Sequence, residues 1–199
     1  MAHANAIFLS FVSGAALVLA VAPGCNNNTT QPPETAINWS VSPGTNSPTI
    51  CGAGGGVTWQ IGNPESNPLD VVSNGTSFTG IPVTVECSVT PNSTGFSVIA
   101  QISYGNEGSL TVNGQFDSHS GAASTWPAET GISGTFSSGS ANAFIETMSE
   151  TDCSVTFTKN DQMGVADGRI WGVIDCPQAA NMDSTCDGHA EFLFEYCGQ

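Results

Sequence analysis

Carboxylates are the commonest charge-bearing side chains in this chain: seventeen Asp and Glu stand against two Lys and Arg and three His. Paired carboxylates hydrolyse glycosides when they lie about 5–9.5 Å apart. Glu191 and Glu195 stand four residues apart on an alternating segment, which puts them on one strand face at about 13 Å. That is too wide for such a pair. Glu146, Glu150 and Asp152 are close in sequence, but their spacing selects no role. These carboxylates read as solvated groups on an outer face. No Gly-x-Ser-x-Gly elbow occurs, and nothing in the placement of His119 or His189 selects a Ser-His-Asp set. The expectation is a chain that is not an enzyme, with a secreted hydrolase using loop carboxylates as the alternative.

Calcium is the best ligand-level reading of the acidic loops. Calcium takes six to eight oxygens from carboxylates and carbonyls. Asp161, Asp167, Asp183 and Asp187 fall in two Gly/Asn/Ser-containing loops, Lys159 to Gly168 and Pro177 to Gly188, with Asp161 and Asp167 as the candidate ligands. EF-hand spacing is absent, and Asp167-Gly168 is equally a tight-turn signal. No other cofactor is expected. Zinc is disfavoured, because no two cysteines are spaced Cys-x-x-Cys. Gly52 to Gly56 leads into a strand rather than a helix, so it reads as a turn and not a nucleotide loop. Arg169 is expected to hold Glu191 or Glu195 in a fork-like pair. Trp59 and Trp171 lie within strands and read as core. Trp126, beside Pro127 in a loop, is the candidate surface ring for stacking on a carbohydrate.

The seven cysteines carry most of the remaining information. Cys51, Cys87, Cys153, Cys176, Cys186 and Cys197 make an even set, which suits disulfides in an oxidising compartment. Fifteen pairings are open. Spacing favours Cys176–Cys186 across the base of a hairpin, Cys153–Cys197 joining the strands on either side, and Cys51–Cys87 pinning the first strand.

Cys25 is left over, and its surroundings explain it. Ile7 to Ala22 is apolar and carries no Asp, Glu, Lys or Arg. It is shorter than the roughly 20 residues that span a bilayer, and it suits the apolar core of a signal peptide. The sequence Ala22-Pro23-Gly24-Cys25 resembles the lipobox of bacterial lipoproteins, although Ala22 stands where Leu is usual and Met1 to Ala6 has no Lys or Arg. The resemblance implies a diacylglycerol on the Cys25 sulfur, cleavage before it and acylation of the new amine. Several acyl chains, at about 0.8 kcal/mol per buried methylene, anchor firmly to a membrane. Asn26, where inner-membrane retention uses Asp, points to the outer membrane. Residues 1–24 are therefore expected to be a signal peptide. Residues 25–37, rich in Asn, Thr, Gln and Pro, read as a lipidated tether with a reach of about 20 Å. Residues 38–199 are the domain.

Composition excludes one large class of partners. A formal net charge of −15 repels nucleic acid and anionic lipid head groups. Abundant Gly, Ser, Thr and Asn favour strands and turns. Phe96, Val98, Ala100, Ile102 and Tyr104 alternate strictly, and Gly105-Asn106-Glu107-Gly108 reads as the hairpin turn into Leu110, Val112 and Phe116. About nine such segments recur, from Val57–Ile61 to His189–Cys197. The fold class expected is all-β: one antiparallel β-sandwich or open barrel, stapled by disulfides.

Over Cys153 to Gln199 the chain also resembles small myxobacterial-type lipoproteins. The matching features are Cys153-Ser154-Val155-Thr156-Phe157, Gly168-Arg169-Ile170-Trp171 leading to Cys176-Pro177, and the ending Phe192 to Gln199. This resemblance implies a shared disulfide-bonded β module and adds no site residues. The functional expectation is a cell-envelope lipoprotein whose extracytoplasmic domain has a structural or binding role. Its partners are a membrane at Cys25 and an envelope protein or glycan. A calcium- or carbohydrate-binding module is the alternative.

Overall fold

The computed structural model describes residues 31–43, 57–138, 143–146, 153–180 and 185–198. They form thirteen strands: β1 (Glu34–Pro43), β2 (Val57–Ile61), β3 (Val72–Ser73), β4 (Ser77–Phe78), β5 (Ile81–Pro91), β6 (Gly95–Tyr104), β7 (Gly108–Asp117), β8 (Glu129–Ser138), β9 (Ala143–Glu146), β10 (Cys153–Thr156), β11 (Gly164–Ala166), β12 (Arg169–Ala180) and β13 (Thr185–Glu195). The expected nine are present. The additional strands are β1, the short β3, β4 and β11 that fasten edges. All pairings are antiparallel, in the order β2-β1-β13-β12-β10-β8-β7-β6-β5-β4.

This single sheet nearly closes into a barrel. The far strand β5 returns to the first elements. Val83 exchanges backbone bonds with Gly75 and Thr76 at 2.9 Å each, and the Gly168 amide donates to the Val89 carbonyl at 2.9 Å. β3, next to that segment, pairs with β1. Closure hides the strand edges that would otherwise template association. The period-two stripes point inward. Val98, Ala100 and Ile102 of β6 meet Leu110, Val112 and Phe116 of β7, and Trp39 of β1 stacks on Phe136 of β8 at 5.9 Å. Gly134 and Gly188 face this interior because nothing larger fits. A Cβ would come within 2.7 Å of the Cys176 sulfur at Gly134, and within 2.9 Å of the Phe136 ring at Gly188.

Three expectations are corrected. The tether does not extend to residue 37, because Glu34–Ile37 already pair with Glu195–Phe192. Ala36 and Ile37 are fully buried, and β1 is an interior strand between β2 and β13. Second, the cysteine pairings differ. The bridges are Cys153–Cys176, with Cα atoms 4.2 Å apart, and Cys87–Cys197, with Cα atoms 4.8 Å apart. Third, Pro177 does not begin a loop. β12 continues through a bulge between Cys176 and Ala179, where a missing N–H is tolerated. That continuation explains the pairings. Cys176 lies opposite Gly188, and Cys186 lies opposite Ala179, so the two cysteines are out of register for a bridge. Ser154 lies opposite Asp175, which brings Cys153 against Cys176 instead. Cys87–Cys197 crosses the barrel seam. Cys186 is also disulfide-bonded. Cys25, Cys51 and the Gly52–Gly56 turn lie outside the described residues.

Candidate functional site

The site grows from two strands that read as apolar at consecutive positions. Ile170-Trp171-Gly172-Val173-Ile174 and Phe192-Leu193-Phe194 do not alternate, and a continuous run signals burial on both faces. Ile170, Ile174, Phe192 and Phe194 fill the barrel. Trp171, Leu193 and Ala36 point outward, yet all are buried. Two irregular segments cover them.

The first cover is residues 62–71. Gly62 starts it at φ +62°, where a Cβ would strike the Asp70 carbonyl at 2.3 Å, so only glycine fits. Asn63 and Asp70 close the loop as a bridge, the Asn63 amide donating to the Asp70 carbonyl at 2.7 Å. The Asn63 side chain accepts from the Glu65 amide at 2.9 Å. The Ser66 hydroxyl donates to the Asn63 carbonyl and accepts from the Asp70 amide, both at 2.8 Å. The second cover is the turn that precedes β11. There the Asn160 side chain accepts from the amides of Gln162 and Met163 at 2.8 and 3.1 Å. Such Asx turns hold a loop by its own side chains.

Lys159 clasps the two covers to the sheet. Its ammonium donates to Glu65 of the first loop and to Glu191 of β13. Glu191 is only 3% exposed and also accepts from the Trp171 indole at 3.4 Å. The hydrogen bond from Lys159, and then its charge, hold the Glu65 carboxyl below its ordinary 4.5. Burial works to lower the Lys159 ammonium, and the hydrogen bonds to Glu191 and Glu65 outweigh it, holding it above 10.5. Arg169 completes the wall. It donates to Glu195 at 2.8 Å and to the Gln162 carbonyl at 3.0 Å, with its guanidinium 5.4 Å above the Trp171 ring. Between the covers lies a cleft of about 340 Å³ lined by Glu65, Asn67, Leu69, Asp161, Gln162 and Trp171, among others.

The structure does not bring the two candidate calcium ligands to one site. Asp161 lines this cleft, whereas Asp167 lines a smaller one beside Arg169 and Glu195. Among the described residues no three His, Cys, Asp or Glu converge as a metal site. Arg169 takes Glu195, one of its two expected partners. Glu191 is a correction: it is not solvated, because the covers bury it. Trp126 is corrected too. It is half-buried, packed edge-on against Phe157 at 5.4 Å and beside His119 at 5.0 Å. His119 binds Glu129 at 2.6 Å, and His189 binds Asp175 at 2.6 Å. Glu146 sits in β9 opposite Thr135 and Ala180. Glu150, Asp152 and Asp183 lie outside the described residues.

Glu65, Asn67, Lys159 and Gln162 are the site residues that sequence reasoning missed. The available signal was the apolar run around an outward Trp171, which requires something to lie over it. Compared with family models, curated proteins and solved structures, the chain matches none.

Proposed function

We propose that this chain is a cell-envelope lipoprotein, held to the outer membrane by acyl chains on Cys25, with a non-catalytic extracytoplasmic β domain that serves as a binding module. One observation carries the non-catalytic reading: among the described residues the basic groups are already engaged. Lys159 and Arg169, the chain's only Lys and Arg, and both His119 and His189 each hold a carboxylate. Acid–base or nucleophilic chemistry by a Lys, Arg or His needs that group aimed at a reacting atom. Here they fasten strands and loops to one another. The bridges across the barrel suit an oxidising envelope, and the leftover Cys25 beside an apolar leader supports the anchor.

Intact mass of the protein extracted from the native membrane fraction, with thiols counted by alkylation, tests the anchor. A chain beginning at Cys25, carrying lipid and without free thiol, is the expected result. Cleavage after Ala22 with Cys25 free overturns it. Incubation with chromogenic ester, glycoside and peptide substrates tests the other half. Turnover that disappears in Glu65→Gln or His119→Gln makes the protein a hydrolase.

A further inference from the structure

We propose that the cleft over Trp171 binds a neutral polyhydroxylated ligand, a saccharide of one or two rings. This rests on the binding-module reading and adds the class of ligand. At about 340 Å³ the cleft lies at the small end of ligand sites, which run from about 300 to 1,000 Å³. Its walls carry the amides of Asn67 and Gln162 and the carboxylates of Glu65 and Asp161. Amides donate and accept, and carboxylates accept. Adjacent hydroxyls, each donor and acceptor at once, match such a mixture. Half-buried Leu69 adds apolar surface on the wall, and buried Trp171 forms the floor beneath it.

Charge argues against the other occupants. An anion meets a chain of net charge −15, and the two nearby cations are engaged, Lys159 with Glu65 and Glu191 and Arg169 with Glu195. A cation finds Glu65 already neutralised by Lys159. Asp161 stands exposed, where water weakens any ion pair it forms. Preorganisation favours binding. Both rims are pinned by the Asx turns of Asn63 and Asn160 and tied together through Lys159, so little order remains to be imposed when a ligand arrives.

The test is thermal melting of the full chain with a series of neutral oligosaccharides (α-glucans, β-glucans, chitooligosaccharides and galactans), alongside spermidine and inorganic phosphate. At least one neutral sugar is expected to raise the melting temperature saturably, by about 5 °C at a hundredfold excess over Kd. Asp161→Ala and Gln162→Ala replace exposed side chains away from the clasp. Each is expected to weaken that response at least tenfold while leaving the melting temperature without sugar unchanged. No saturable response to any sugar, a response to spermidine or phosphate alone, or a sugar response that both variants leave intact overturns the proposal. Hydrolysis of the responding sugar, read by product analysis, instead overturns the binding-module reading while keeping the ligand class.

Discussion

Lys159 shows how much one side chain decides here. It is 47% exposed, but its partner Glu191 is 3% exposed, so removing the ammonium leaves a buried carboxylate without its counter-charge. Breaking a fully buried pair costs about 3–5 kcal/mol, and water reaching Lys159 reduces that. Lys159→Met is expected to lower stability by about 2 kcal/mol in urea unfolding; a change within error would show that Glu191 is satisfied without it. The pH dependence follows from the two shifts. Glu65 has a lowered value, so its contribution is complete above its unfolded value and is lost as pH falls through the folded one. Lys159 has a raised value, so its contribution is complete below its unfolded value and is lost as pH rises through the folded one. The stability gap between the wild type and Lys159→Met is therefore widest near neutrality, narrows as pH falls below the ordinary 4.5 of Glu65, and narrows as pH rises above the ordinary 10.5 of Lys159. None of this could be read from Lys159 alone, because its partners lie 94 and 32 residues away in sequence.

At the level of strands, the seam between β5 and the β11–β12 turn is the weak line of the barrel. It is held by the Gly168–Val89 bond, by the Cys197 amide on the Gly168 carbonyl at 2.9 Å, and by Cys87–Cys197. That bridge spans a sequence separation of 110, and a loop of that size is worth about 4–5 kcal/mol in chain entropy. Cys87→Ala/Cys197→Ala is expected to lose most of that and to open the seam first. Faster hydrogen exchange at Val83–Val89 than at the β12–β13 pair would show the opening, and uniform exchange would contradict it. The hairpin of β6 and β7 was legible in the sequence, turn included, because alternation and turn chemistry are local. The start of β1 at Glu34–Ile37 was not, because its burial depends on β13, which lies at the other end of the chain.

For the whole molecule, charge sets the response to salt. With a net charge of −15 and two ion-paired bases, Lys159 and Arg169, among the described residues, self-repulsion outweighs the attraction that screening removes. The melting temperature is expected to rise as NaCl goes from about 10 mM to about 500 mM; a fall would mean that the ion pairs dominate. The sequence by itself determined the all-β class, the hairpins, the acidic surface and the presence of disulfides, since alternation, turn residues and composition act over neighbouring residues. Tertiary structure alone decided barrel closure, the cysteine pairing and the cleft. Each depends on register between distant strands, and a register shift of one residue turns every side chain to the opposite face. Cys176 and Cys186 stand ten apart in sequence, yet the bulge in β12 puts them out of register. The same logic hides the site: Glu65, Asp161 and Trp171 become neighbours only when two loops fold over the outer face of β12.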